Sequence, residues 1–505
     1  MYEWIKGHKW ICFTLLLLTF FLIYCFLCTP IRAYTSDNAS AVWEASSILR
    51  GNILLKNWII PADNFITSDI LFYLPFLPFL GIGTTVIVIV SSLIYTTILL
   101  FSLLLGIKEK NNKILSGIII ICMVALPSAA FMQYVLNIPI HTGTLLYTLI
   151  VFYVTDQYIS RKEAKISWHL GVICIIAFSG LFADPVYQVL ALLPLFLVLL
   201  PISTKKNPHR KQALSLLITV ITSYILYSVA VLYILPAYGF TIVSHGYELT
   251  TLPGLIWNMR LFINIITHTF GPLSGISWIH ILQLLFLIST FIFSIILIVQ
   301  KKLDMLDWLL LLSAIFDIVI FCISRYPESL DSTRYFIPAF VMLGILGARH
   351  ITTIPIDKKY ITYSLEAIAT IVLLVSLIEI LTTVPVQTRG LTSTWLLSHH
   401  ITYAYADYWD SEITWLHTKG KVSVYPIRVF PENITPYYWL SDNTWYKKEV
   451  HTIIFKNAED WNFSAINIVK VLGEPQNKYT TNGYSIWIWQ KDISKDISTF
   501  GNFGI

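Results

Sequence analysis

The chain has 505 residues, of which 56% are hydrophobic and only 12% are charged, and its mean hydropathy is +0.69. Soluble globular domains carry about 25% charged residues, so this composition excludes them and indicates a protein that crosses the membrane many times. The net charge of +5 is small, and the cations collect in short loops rather than in one patch, which argues against nucleic acid as a partner.

The first apolar segment, residues 10–27, follows Lys6 and Lys9. It is longer than the apolar part of a signal peptide, and no clean small-residue cleavage site follows it. We therefore predict that this segment is an uncleaved first transmembrane helix.

A polar stretch that begins at Ser36-Asp37 comes next and lies in outer loop 30–70. Small and apolar residues then recur at helical spacing as far as Gly51-Asn52, which predicts a short helix on the membrane surface with its acid at the N-terminal end. One interpretation is that Asp37 or Ser36 only caps this helix. The other is that Asp37 is a general base or a metal ligand that faces a lipid-borne substrate.

Ten more apolar segments follow, and most are close to the roughly 20 residues that a bilayer requires. With the first segment they predict about eleven crossings. Their approximate bounds are 84–106, 114–131, 140–154, 168–182, 186–201, 213–235, 278–299, 306–323, 336–346 and 360–383.

The distribution of Lys and Arg predicts the orientation. The positive-inside rule places the N-terminus in the cytoplasm, and an odd number of crossings then places the C-terminus outside. The outer face would hold loop 30–70, the turn at Asp184, loop 236–277 with an amphipathic piece around Trp257, and the tail. The cation-rich loops that fix this assignment are 6–9, 108–113, 161–165, 205–211, 301–302 and 349–359.

The tail differs in composition, because it is polar and aromatic from about Pro385 onward. Short β-prone runs at 421–425, 450–455 and 484–489 and a helical pattern over 391–409 predict a small soluble α+β domain. The predicted domains are therefore a transmembrane domain at 1–384 and an extracytoplasmic domain at 385–505.

Nucleotide-binding and hydrolase motifs are missing from suitable contexts in the sequence, including the P-loop, HExxH and GxSxG. What remains is a set of polar residues at the outer ends of the predicted crossings. These are Asp37, Asp69, Asp184, Arg325 and Arg334.

Several of the polar residues have a structural interpretation beside the functional one. Asp184 precedes a proline and is either a turn residue or a second acid. Arg334 either extends to lipid headgroups or binds a lipid phosphate in a bidentate manner. His141 is a ligand, a base or a hydrogen-bonded core histidine. Asp317 lies within a predicted crossing, so it should face the bundle interior or be protonated.

The order of these features resembles the GT-C superfamily of integral-membrane glycosyltransferases, whose relatives include protein O-mannosyltransferases and aminoarabinose transferases. A bacterial GT-C-like group is similar in short motifs along most of the chain. These motifs are Ser36-Asp37, residues 48–55 with Trp58, residues 182–185 with Pro194-Leu195, Arg334-Tyr335 with Pro338, Tyr408-Trp409 and Trp445-Tyr446.

The resemblance implies an all-α membrane bundle of about eleven helices with the C-terminal α+β domain. It also implies an enzyme of the cytoplasmic membrane that transfers a sugar, with inversion, from a polyprenyl-phosphate donor to a glycan, lipid or protein acceptor on the outer face. Asp37 maps onto the base or metal-binding acid of that family, and Arg334 or Arg325 would bind the donor phosphate.

The sequence departs from the better-known members in its second outer loop, where residues 133–141 contain no acid. Asp184 or Asp69 would then supply a second acid, or none is used. A divalent cation, Mg²⁺ or Mn²⁺, held by Asp37 and Asp184 is therefore an open expectation.

Two other functions fit a polytopic chain of this kind. A transporter or flippase for lipid-linked saccharides predicts internal repeats and discontinuous helices, whereas this sequence has no convincing repeat and its acids cluster at one face. A non-catalytic membrane assembly factor would be favoured if the outer polar residues did not converge.

Overall fold

The computed structural model describes residues 9–28, 34–107, 113–137, 141–161, 167–204, 207–238, 240–243, 248–270, 278–351, 359–382, 391–456 and 463–497. Contacts divide the chain into two compact units. Unit 1 comprises Met1–Ile31, Ser91–Val229 and Gly246–Pro385, and unit 2 comprises Arg32–Val90, Ala230–His245 and Val386–Ile505.

Helices dominate the described residues. In chain order they are α1 (Lys9–Cys28), α2 (Ser36–Leu49), α3 (Leu77–Leu80), α4 (Thr84–Ile107), α5 (Lys113–Ile120), α6 (Ala129–Asn137), α7 (Thr142–Ile159), α8 (Trp168–Ala183), α9 (Leu193–Thr204), α10 (Arg210–Val229), α11 (Leu235–Ala237), α12 (Leu252–Phe270), α13 (Trp278–Val299), α14 (Met305–Ile323), α15 (Ile337–Ile351), α16 (Lys359–Thr382), α17 (Leu391–Ser398), α18 (Tyr408–His417) and α19 (Ala465–Leu472). Single turns of π-helix extend α5, precede α9 and follow α10, at Ile121–Ala125, Gln188–Leu192 and Ala230–Ile234.

Five helices of the described chain are long and apolar enough to cross a membrane. They are Trp10–Cys28, Thr84–Ile107, Arg210–Ala237, His280–Val299 and Met305–Ile323, and the pair 113–125 and 130–136, bent by 79°, makes a sixth if it counts as one span. The predicted crossings at 168–182 and 186–201 coincide with the shorter apolar helices Trp168–Ala183 and Gln188–Thr204. The 15-residue α15 is about 22 Å long and mostly buried, short of the roughly 30 Å hydrocarbon core, so the number eleven stays a prediction.

Unit 1 is a helical bundle in which α15 packs against α13 and α14, while α8 packs against α7 and α10. Arg349, a buried arginine near the end of α15, stabilises this packing. Arg349 donates to Asp307 Oδ1 at 2.6 Å, to Asp304 Oδ2 at 2.6 Å and to the carbonyl oxygen of Leu105 at 2.9 Å. This clamp joins α15 to the start of α14 and the end of α4.

Unit 2 contains the strands of the described chain. They are β1 (Trp58–Pro61), β2 (Thr241–Val243), β3 (Tyr403–Ala406), β4 (Ser423–Val429), β5 (Ile434–Pro436), β6 (Ser441–Asp442), β7 (Thr452–Lys456), β8 (Asn477–Thr481) and β9 (Tyr484–Ile488). Where described, the larger sheet has six strands in the order β5-β4-β3-β7-β9-β8, and β3 pairs in parallel with both β4 and β7. A smaller sheet has the order β2-β1-β6.

The predicted β-prone runs of the tail are confirmed as β4, β7 and β9. The single helix predicted over 391–409 is wrong, because α17 ends at Ser398 and β3 occupies Tyr403–Ala406 before α18 begins. Strand pairing explains the difference. Tyr405 is buried together with Ala404 and Ala406, and β3 lies between β4 and β7, with which it pairs on its two sides.

Candidate active site

Helix α2 places Asp37 in its first turn but does not use it as a cap. The cap residue is Thr35, whose backbone N–H donates to Asn38 Oδ1 at 3.1 Å. Ser36 Oγ instead donates to the carbonyl oxygen of Tyr408 at 2.5 Å. The capping interpretation of Asp37 and Ser36 is therefore wrong, although the N-terminal dipole of α2 still favours the Asp37 carboxylate.

The Asp37 carboxylate is held by a tyrosine from α18. Tyr408 donates its hydroxyl hydrogen to Asp37 Oδ1 at 2.7 Å, and Tyr408 is buried while Asp37 is half-buried. Burial raises the pKa of Tyr408, and the charge of Asp37 raises it further. Tyr408 therefore stays a hydrogen-bond donor, and Asp37 is an oriented acceptor that is still partly exposed.

Two other acids lie on the facing sides of the same helix pair. Glu44 follows Asp37 by two turns on α2, Glu412 follows Tyr408 by one turn on α18, and both side chains are buried. Burial raises the pKa of Glu44 and of Glu412 well above the ordinary value, and the charges of Glu44 and Asp37 add to the effect at Glu412. These two carboxyls are held towards their neutral form.

An aromatic stack fixes α2 within unit 2. The Trp43 ring lies 4.4 Å from the Trp415 ring and 4.2 Å from the Trp445 ring, centroid to centroid, and all three indoles are buried. Such stacks contribute beyond their buried area. The orientation of α2, and with it the position of Asp37, is therefore determined by the core.

A second polar group lies in unit 1, where α7 begins and α8 ends. His141 Nδ1 is 2.7 Å from Asp184 Oδ2, Thr144 Oγ1 donates to the same oxygen at 2.6 Å, and the Val186 N–H donates to Asp184 Oδ1 at 2.9 Å. Burial alone raises the pKa of Asp184, but the charge of His141 and these three hydrogen bonds outweigh it and lower that pKa. Asp184 is thus a turn residue, as one interpretation held, and also the hydrogen-bond partner of His141.

A cavity of about 110 Å³ lies next to this pair within unit 1. Its lining is mainly apolar, and its polar side chains include His141, Arg334, Tyr335 and Asp317. Arg334 Nη2 donates to the Tyr335 hydroxyl at 3.2 Å. The Tyr335 ring centroid is 5.1 Å from the His141 ring and 5.1 Å from Arg334 Cζ. Arg334 and His141 therefore share one aromatic neighbour in one cavity.

Asp317 is buried, as predicted for a charged residue inside a crossing, and its Oδ2 accepts the backbone N–H of Ala339 at 2.9 Å in the first turn of α15. His141 is buried and hydrogen-bonded as a core histidine would be, and it also lines the cavity. The structure is therefore compatible with His141 as a hydrogen-bonded core histidine and with His141 as a ligand or base in the cavity.

The remaining predicted site residues have other surroundings. Arg325 is 73% exposed and pairs with Glu248, which is 59% exposed. Asp69 is buried in unit 2 beside Ser68, whose hydroxyl donates to Asp69 Oδ2 at 2.7 Å. Their predicted roles as phosphate ligand and second acid stay predictions.

A divalent cation held by Asp37 and Asp184 stays a prediction. Across the ranges that the structure describes, no three His, Cys, Asp or Glu side chains are grouped so that they could hold a metal ion. Mg²⁺ is usually bound through one or two carboxylates with waters and substrate phosphates, so such a group is not required for it.

Known proteins were compared at three levels. No protein-family model and no curated protein sequence matches the chain. In structure it is similar to apo ArnT from Cupriavidus metallidurans, with a TM-score of 0.56 and 10% identity over 98% of this chain and 99% of that one. The chain therefore has the fold of ArnT. ArnT bound to undecaprenyl phosphate matches with the same TM-score and identity over 97% and 99% of the two chains.

This similarity confirms a mostly helical fold with apolar spans and a small C-terminal sheet region, while the predicted number of eleven crossings is not confirmed. At 10% identity the similarity carries the fold alone. An oligosaccharyltransferase from Archaeoglobus fulgidus, tethered to an acceptor peptide, matches at a TM-score of 0.43 and 10% identity over 84% of this chain and 64% of that one.

Sequence reasoning missed how these residues are partnered. Glu44 and Glu412 were not recognised, and Tyr408 was noted only as part of a motif. One signal was present: Glu44 lies seven positions after Asp37, which places both acids on the same side of a helix. The His141–Asp184 pairing has no comparable signal, because the two residues belong to different helices.

Proposed function

We propose that the chain is an integral-membrane glycosyltransferase that moves a sugar from a polyprenyl-phosphate donor to an acceptor on the outer face of the cytoplasmic membrane. The observation that carries this proposal is a GT-C fold over 98% of the chain in which an oriented, partly exposed carboxylate, Asp37, begins helix α2. The ArnT structure that holds undecaprenyl phosphate supports a donor of that chemistry.

Asp37 is the proposed base. It takes the proton from an acceptor hydroxyl, whose oxygen attacks the anomeric carbon of the sugar as the bond to the phosphate oxygen breaks. Attack from the face opposite the phosphate inverts the anomeric carbon. The hydrogen bond from Tyr408 holds the carboxylate in one orientation, which reduces the entropy lost on reaching the reactive geometry.

Arg334 is the proposed ligand of the donor phosphate. The electron pair of the broken bond stays on the phosphate, so the leaving group gains negative charge that a guanidinium stabilises. The cavity of about 110 Å³ that Arg334 lines has the volume of roughly four waters, which is room for a phosphate headgroup. Its mainly apolar lining suits the adjoining prenyl chain.

Asp37 acts in this scheme without a second acid, since Asp184 is already the hydrogen-bond partner of His141. The N-terminus lies in the cytoplasm, and the domain at 385–505 lies outside, where it contributes Tyr408 and contacts a glycan, lipid or protein acceptor. The charge distribution of the loops supports this orientation.

Lipid analysis tests the proposal. Polyprenyl-phosphate sugars are extracted from a strain that lacks the gene, from the same strain with the wild-type gene restored, and from the parent, and are compared by mass spectrometry. A donor that transfer normally consumes should accumulate without the gene and return to the parental level on restoration. Identical lipid-linked sugar profiles in the three strains would contradict the proposed activity.

A further inference from the structure

We propose that His141, backed by Asp184, is a second ligand of the donor phosphate, beside Arg334, in the cavity that Arg334 lines. This inference rests on the proposed function. It assigns a phosphate-binding role to a pair that the sequence suggested as a ligand, base or core histidine and as a turn residue or second acid.

The first step is that His141 and Arg334 face the same space. Both line the cavity, and both contact the ring of Tyr335 at 5.1 Å, His141 through its imidazole and Arg334 through its guanidinium carbon. His141 and Arg334 both carry N–H donors, and both lie against the Tyr335 ring in a mainly apolar lining. Such a site suits a single small anion better than a sugar with many hydroxyls.

The second step concerns the hydrogen-bonding state of His141. Asp184 accepts hydrogen bonds from Thr144 Oγ1 and the Val186 N–H, both of which favour its ionised form. An ionised Asp184 at 2.7 Å from Nδ1 can only accept, so Nδ1 carries the hydrogen and His141 donates it to Asp184. Because the two ring nitrogens point in different directions, a ring fixed in this way turns its Nε2 edge away from Asp184.

The third step concerns the other titratable groups around the cavity. Glu248 is paired with Arg325, and Asp317 accepts the Ala339 N–H. Tyr326 and Tyr335 are the other titratable side chains of the lining, and both can donate hydrogen bonds. An incoming phosphate therefore meets Arg334 as a cation and His141 as a further N–H donor.

The chemistry explains why a second ligand beside Arg334 is useful. A sugar phosphodiester carries one negative charge, whereas the prenyl phosphate that leaves carries up to two. An oriented N–H donor at the phosphate stabilises the transition state more than the bound donor, because charge on the phosphate increases as the glycosidic bond breaks. Asp184 is a positioning residue in this scheme, since it acts through His141.

Binding of undecaprenyl phosphate and of undecaprenol to the purified full-length protein, measured by native mass spectrometry in detergent, tests the inference. The two lipids differ only in the phosphate. We expect His141→Gln and Asp184→Asn each to weaken binding of undecaprenyl phosphate about tenfold or more, and to leave binding of undecaprenol within about twofold. A merely structural role would weaken both lipids alike.

His209→Gln is the matched control, because His209 is a histidine of unit 1 that does not line the cavity. It should bind both lipids as the wild type does. If one test variant does not fold, binding by the other variant decides the question. His141→Gln removes the imidazole, and Asp184→Asn removes the carboxylate that accepts its hydrogen. Undecaprenyl phosphate binding at the wild-type level in a folded His141→Gln protein would overturn the inference.

The same measurement separates this inference from the proposed function. A wild-type protein that binds undecaprenol as well as undecaprenyl phosphate would contradict the proposed donor class. A wild-type preference for the phosphate that survives in the folded variant would contradict only the role of His141.

Discussion

The hydroxyl of Tyr408 donates a 2.7 Å hydrogen bond to Oδ1 of Asp37, although 371 positions separate the two residues in sequence. The bond joins the first turn of α2 to the first turn of α18. The C-terminal part of the chain therefore contributes to the surroundings of the proposed base. The Asp37 carboxylate is held in this orientation only while α18 is packed against α2.

Tyr408→Phe should therefore lower kcat for sugar transfer about tenfold and leave KM nearly unchanged. The ring that packs in the core is kept, while the hydroxyl that orients Asp37 is lost, at a cost of about 1.4 kcal/mol in the transition state. Transfer rates measured over a range of donor concentrations check this. Tyr405→Phe, which removes a buried hydroxyl from β3, is the control and should behave as the wild type. A KM effect of the same size as the kcat effect would speak against a positioning role.

Arg334→Gln should reduce transfer about a hundredfold, because it removes the cation that the proposed mechanism places at the leaving phosphate. Arg325→Gln should change the rate less than about twofold, since its exposed pair with Glu248 contributes little. Both variants are compared in one transfer assay. Equal losses in the two variants would mean that Arg325 shares the phosphate site after all.

Glu412→Gln should make the thermal stability of the protein less dependent on pH. Burial raises the pKa of Glu412 in the folded state, so below the ordinary Glu pKa of about 4.3 both states hold the proton. As the pH rises above that value the unfolded chain ionises first, and stability falls towards the raised folded pKa. Unfolding temperatures between about pH 4.5 and 8 should fall more steeply for the wild type than for the variant. Parallel curves of unfolding temperature against pH for the wild type and the variant would show that protonation of Glu412 does not contribute to this pH dependence.

Arg349→Ala should destabilise unit 1 by about 3–5 kcal/mol, because Asp307 would be left buried without its cation. Chemical unfolding in detergent, followed by circular dichroism, measures this loss. Lys302→Ala is the control, since Lys302 is exposed in the same region, and it should unfold as the wild type does. Wild-type stability in Arg349→Ala would mean that the clamp contributes nothing to the bundle.

The sequence allowed the elements with a strong local pattern to be predicted. Helix α2 follows from its spacing of small and apolar residues, and β4, β7 and β9 follow from β-prone runs. Strand β3 was hidden within a helical pattern, because its state depends on pairing with β4 and β7 on either side. Propensity is overridden where tertiary contacts decide.

The site was predictable only as a set of residue types. Asp37, Asp184 and Arg334 were recognised by their position next to apolar segments, but their partners come from distant parts of the chain. The contact of Tyr408 with Asp37 and that of His141 with Asp184 depend on helix packing, which a local pattern does not encode. The hydrogen bond between Asp184 and His141 adds a partner that the sequence did not indicate, and the role of Asp184 as a second acid stays a prediction.

The most direct test of the account is the rate at which purified Asp37→Asn protein releases undecaprenyl phosphate from the lipid-linked sugar identified in the deletion strain, with that strain's membranes as acceptor. Glu432→Gln, an exposed acid of unit 2, is the control. We predict that Asp37→Asn keeps the wild-type unfolding temperature and loses at least about a thousandfold in rate, while Glu432→Gln transfers normally. A folded Asp37→Asn protein that transfers sugar at the wild-type rate would contradict the claim that Asp37 is the base.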